Sequence, residues 1–171
     1  MKKHSIAAAA LFLPFLFMTA GMAVERHIEG VVTHYSAGSP ELVVCTFDSP
    51  YSCNLIRTYG GTSTVASNSG KPAHLSLGAF VDVDAQSQGG VPVATHITVH
   101  TDQFVRSIKG FQADRGSAIA KVLNGLGGVR SARICKELGE ALITFNPSVA
   151  TPASIERAAL RKSVTLSLPG Q

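Results

Sequence analysis

The chain has no tryptophan and, past its first 22 residues, no methionine: Met1, Met18 and Met22 are the only three in 171 residues. Eight Phe and three Tyr are then the whole aromatic stock, too thin for the stacking platforms that single-stranded nucleic acid needs. Charge is scarce at 15%, against 45% hydrophobic residues, so the chain can bury a core and disorder is excluded. The length suits one domain or two small ones and excludes a large multidomain enzyme. Catalytic signatures are missing too: there is no Gly-x-Ser-x-Gly elbow, no His-Glu-x-x-His helix and no phosphate loop ending Gly-Lys-Ser/Thr. Asp82 and Asp84 share a strand face, which in an exposed pair is a solvated face rather than a catalytic dyad. The chain reads as non-enzymatic.

What is present begins with a leader. Met1-Lys-Lys-His4, the apolar run Ile6 to Phe17 and the small residues up to Ala23 have the three sections of a secretory signal peptide at residues 1–23. The apolar core is shorter than the roughly 20 residues that cross a bilayer, so no membrane span is expected in the mature chain. A periplasmic or secreted location follows. Charge then divides: residues 24–102 carry three Lys and Arg against seven Asp and Glu, a net of −4, and residues 103–171 carry ten against four, a net of +6. Such a step argues for two units.

Cys45 and Cys53 flank the turn signal Asp48-Ser-Pro50 between two apolar runs. A short hairpin loop would set them opposite one another, which favours a disulfide over two free thiols or a metal pair. Cys135 is the odd thiol.

Residues 24–102 alternate in short β segments separated by turn residues, with a polar stretch at 60–72 that reads as a mobile loop. Five or so strands imply a small barrel or sandwich. The opening Gly30-Val-Val strand, the hairpin, Leu75-Ser-Leu-Gly-Ala-Phe-Val-Asp-Val83 and the closing Ala94-Thr-His-Ile-Thr-Val99 resemble an OB-fold; a generic small barrel fits the same rhythm. Copper-binding relatives of that fold rely on methionine and tryptophan, which this unit lacks.

Residues 103–171 change period. Ile119, Val122, Leu123 and Leu126 fall on one helical face, with Asp114 or Ser117 as cap and Gly127-Gly128 as stop. Thr151-Pro152 opens a second helix. With strands at 104–109, 129–135, 141–145 and 164–168, the order is βαββαβ, a ferredoxin-like split βαβ. The fold class expected is α+β: a small OB-like β-barrel at 24–102 followed by a ferredoxin-like βαββαβ domain at 103–171.

Gly110-Phe-Gln-Ala-Asp-Arg-Gly116, Leu123-x-x-Leu-Gly-Gly-Val129-x-x-Ala-x-Ile134 and Ala141-x-Ile-x-Phe-Asn-Pro147 resemble the heavy-metal-associated domain of mercury-binding proteins and copper chaperones. That family holds soft metals through Gly-Met-x-Cys-x-x-Cys. Here Phe111 stands at the methionine position, and Ala113 and Gly116 stand at the two cysteines, so the ligand pair is absent. The resemblance implies the fold and an accessory or adaptor role in handling or resisting heavy metals.

Remaining candidate ligands for a soft or borderline ion (Cu, Hg or Zn) are Cys135, His34, His96 and His100. His96 and His100, about 13 Å apart along one strand face, cannot chelate one ion by themselves, and a site must combine strands. At the loop end of the second unit, Asp114, Arg115, Lys136, Arg161 and Lys162 form a polar rim or a docking surface for an acidic partner. Nucleic acid is not expected as a partner. The alternative is an envelope protein-interaction module with no metal role.

Overall fold

The computed structural model describes residues 25–36, 38–47 and 51–169. The expected leader and Asp48, Ser49 and Pro50 of the hairpin turn lie outside them.

The first unit is built from β1 (Glu25–Tyr35), β2 (Glu41–Cys45), β3 (Cys53–Arg57), β4 (Ser63–Ala66), β5 (Ala79–Gln88) and β6 (Val91–Ile108). β1 pairs antiparallel with β2 and β5, β2 with β3, and β5 with β6, while Arg57 of β3 meets Val93 of β6 in parallel. That last contact makes the sheet barrel-like. Alternation supplies the interior: Ile28, Val32, Leu42, Val44, Ile56, Val81, Val83, Ile97 and Val99 form one buried cluster. At Gly30 the strands come so close that an added Cβ would lie 2.3 Å from the Cys45 carbonyl oxygen. The stretch 60–72 is not loop throughout: β4 pairs parallel with β6 from Ser63↔His96 to Ala66↔Val99. The Cys45–Cys53 disulfide is present, joining residues directly opposite in β2 and β3.

β6 runs for 18 residues, about three times the usual strand. The expected break after His100 is absent. Residues 100–103 are all half-buried and stay in the strand, so the expected boundary at 102/103 falls inside β6. The strand's second half begins α1 (Gly116–Asn124), β7 (Val129–Cys135), β8 (Glu140–Phe145), α2 (Pro152–Leu160) and β9 (Leu166–Ser167). Here the neighbours are β9-β6-β8-β7, all antiparallel.

Both helices cover one face, with Leu123, Leu126, Ile155 and Ala159 buried against Phe104, Ile108, Ile143 and Phe145. Neither expected α1 cap acts as one. A 3-10 turn at Ala113–Arg115 leads into the helix, and its N-cap position, Arg115, makes no side-chain cap bond. The helix also ends three residues before Gly127, at Asn124. Thr151 does cap α2, its Oγ1 accepting from the Ser154 N–H at 3.3 Å with Pro152 at the first position.

The other face of this sheet is covered by the barrel. Val31, Cys45, Phe47 and Phe80 pack with Val105, Cys135 and Leu142 in one buried cluster, and the Arg133 guanidinium lies over the Phe47 ring at 5.7 Å. Glu140 is buried at this junction, 8% exposed, with Ser107 Oγ donating to it at 3.3 Å. Burial pushes its carboxyl up from the ordinary value, and the Ser107 bond only partly offsets this. A raised folded-state value favours the neutral acid, so its contribution is complete at acid pH and is lost as pH rises through that value. Glu140→Gln is therefore expected to gain stability over the parent as pH rises from about 4 to about 8; urea denaturation at the two pH values is the check, and equal differences at both would refute it.

Candidate functional site

The exterior of the barrel changes character along its length. Three registered pairs between β1 and β5 set the pattern: Val31↔Phe80 lies under the second unit, Glu29↔Asp82 comes next, and His27↔Asp84 lies farthest out. β6 extends two of these rows, Asp82↔Thr98 and Asp84↔His96. The face therefore carries His27, His96 and His100 beside Glu29, Asp82 and Asp84. One row reads His27, Asp84, His96 straight across three strands.

A bulge sits beside this row. Asp84 pairs with His96 but Ala85 pairs with Ala94, leaving Thr95 as the extra residue, and its Oγ1 donates to the Asp84 carbonyl at 3.0 Å. Bulges of this kind re-aim side chains and are common next to functional sites. A cleft of about 480 Å³ opens here, lined by Glu25, Arg26, His27, Asp84, Ala85 and Thr95.

Each imidazole has a partner. His27 Nδ1 lies 2.9 Å from Asp84 Oδ1. That hydrogen bond raises the His27 pKa above its ordinary value despite some desolvation, with the charges of Asp82, Asp84 and Glu29 adding to the rise. His96 Nδ1 is hydrogen-bonded to Ser63 Oγ of β4. His100 Nε2 meets Asp82 Oδ2 at 2.8 Å, and its ring packs edge-on against Phe80 with centroids 5.6 Å apart.

The expected ligands are distributed differently. His96 and His100 share the outer face, as their spacing implies. His34 is exposed on β1 opposite Val43 of β2, beyond an irregularity in register between Val32 and His34. Cys135 is buried in the junction core, donating to Glu137 Oε2 at 3.5 Å, and burial raises its thiol pKa. As the side chains stand, no group of three or more His, Cys, Asp or Glu among the described residues is placed to hold a metal ion. His27 and Asp84 are the partners that strand spacing alone did not select for His96; the signal was the outward period-two alternation of both strands, which requires the register to be read.

At the loop end of the second unit, Asp114, Arg115, Lys136, Arg161 and Lys162 are all exposed. Lys136 reaches the start of α1: a Cβ on Gly116 would meet its Cε and the Phe111 ring at 3.6 Å. Lys162 instead flanks an apolar groove of about 500 Å³ lined by Ala118, Lys121, Val122, Gly125 and Leu126. No helix among the described residues is long and apolar enough to cross a membrane.

No family model matches the chain, and no curated protein matches it. Among solved structures it is similar to apo-CusF residues 6–88 from Escherichia coli, at 15% identity and a TM-score of 0.38, over 48% of this chain and 95% of that one. The functional reading rests on the residues themselves.

Proposed function

We propose that the chain is an exported, non-enzymatic binding protein that handles a metal ion. An OB-like barrel presents the ion on its outer face. A ferredoxin-like unit of the heavy-metal-associated type, with Ala113 and Gly116 where the thiolates would stand, serves as the adaptor. The observation that carries this reading is the gathering of His27, His96 and His100 with Asp82 and Asp84 on one exterior face of adjacent strands. Imidazole and carboxylate are the donors that borderline ions take. The test is titration of the purified chain with Zn(II), Cu(II), Cu(I) and Hg(II), followed by calorimetry and competition with a chelator. Micromolar or tighter uptake of one of them is expected, and failure to bind any would overturn the reading.

A second reading, a protein-interaction module, is favoured by the groove beside α1. Its apolar floor of Val122 and Leu126 and its two lysines, Lys121 and Lys162, in a unit of net charge +6, are complementary to an apolar segment carrying carboxylates.

A further inference from the structure

We infer that His27, Asp84 and His96 together form the ion site, and that it takes a borderline divalent ion such as Zn(II) or Cu(II) rather than a soft one. This rests on the metal-handling reading and names its ligands. The three residues are mutually in register on β1, β5 and β6. Directly opposed neighbours have Cβ atoms about 5 Å apart, so the Cβ atoms of the two histidines lie about 10 Å from each other on either side of Asp84, and their rings must lean inward to meet. An ion held at the usual 2.0–2.2 Å from nitrogen and oxygen donors would sit above Asp84, between them.

The two rings are held differently. Ser63 Oγ holds His96 Nδ1, which leaves His96 Nε2 as the free position, as a metal-bound histidine has its second nitrogen fixed by a hydrogen-bond partner. His27 Nδ1 is bonded to Asp84 itself, and the ion must replace that bond for both residues to ligate it. The side chains do not converge as they stand, but His27 and Asp84 are 61% and 60% exposed, and exposed side chains change rotamer within nanoseconds. Glu25, Glu29 and Asp82 add negative charge around the row, and among the described residues Arg26 is the one Lys or Arg lining the cleft. His100 is excluded because it stands four residues along β6 from His96, about 13 Å away, with its ring packed on Phe80 and only 21% exposed. Cys135 is excluded by its burial in the junction.

The experiment is titration of the full chain, its His27→Ala/His96→Ala double variant, Asp84→Asn, and the controls His34→Ala and Cys135→Ala with Zn(II), Cu(II), Cu(I) and Hg(II), with circular dichroism to confirm folding. Imidazole NMR resonances report which rings meet the ion. The expected result is a loss of affinity of at least about 100-fold in the double variant, shifts confined to His27 and His96 in the parent, and parental affinity in both controls. Parental binding in the double variant, or loss of binding in a control, would overturn the site while leaving the metal-handling reading intact. Uptake confined to Cu(I) or Hg(II) would overturn the ion class. A parent that binds nothing would overturn both.

Discussion

Gly30→Ala is expected to cost about 3 kcal/mol, the upper end of what overpacking a core position costs, and to leave much of the chain unfolded near body temperature. The cause is backbone, not side chain. A Cβ at this position would stand 2.3 Å from the Cys45 carbonyl oxygen and 2.8 Å from its carbon, and neither can rotate away. Moving β2 outward would disturb its pairing with β1 at Val31↔Cys45, next to the disulfide that fixes Cys45 to β3. Gly61→Ala, where an added Cβ meets nothing within 4 Å, is the matched control and should change stability by less than about 0.5 kcal/mol. Chemical denaturation of the two variants decides the matter; equal stabilities would show that β2 yields.

Leu142→Ala carries the second large effect. Leu142 is 4% exposed in the cluster that joins the barrel to the face of the second sheet that the helices leave bare. Truncation should cost about 3 kcal/mol, within the 2–5 kcal/mol range for buried leucine. The more telling expectation is where protection is lost. Because β6 belongs to both units and the cluster packs them together, hydrogen exchange should accelerate in β1 and β5 together with β7 and β8. Ile143, one residue away, faces the helices instead, so its truncation supplies the comparison. Barrel amides that keep their parental protection in Leu142→Ala would sink the claim that the two units unfold as one. Hydrogen exchange is the suitable probe because the chain has no tryptophan to report fluorescence.

Much of the fold was legible where one local rule dominated. The Thr151-Pro152 helix start, the helical face of Leu123 and Leu126, the Cys45–Cys53 pairing and most strands follow from periodicity and turn residues. What escaped depends on partners distant in sequence. The run His100-Thr-Asp-Gln103 looks like a break because it is polar, yet it remains extended at the rim between the units, where half-burial suits polar side chains. β4 escaped because a four-residue strand within Gly, Ser and Thr has no period of its own; β6 supplies its pairing. Asp114 and Ser117 are sound caps by type, but the 3-10 turn moves the helix start between them.

The candidate site shows the same division. The common face of His96 and His100 could be read from their even spacing. Cys135 could not be placed, because only the docking of Phe47, Phe80 and Val31 reveals that the face of β7 opposite the helices is covered. His27 and Asp84 become neighbours of His96 only through the register of β1 on β5 and β5 on β6.

The unbroken course of β6 bears on how this chain can be divided. Scission between Asp102 and Gln103 would strip the barrel of the cover over Val31 and Phe80 and leave the fragment from 103 onward with an apolar face no longer sheltered by Phe47. Separate expression of the halves is then expected to yield sticky, self-associating material, and re-mixing them should rescue solubility only if the severed ends can re-align along one continuous backbone track.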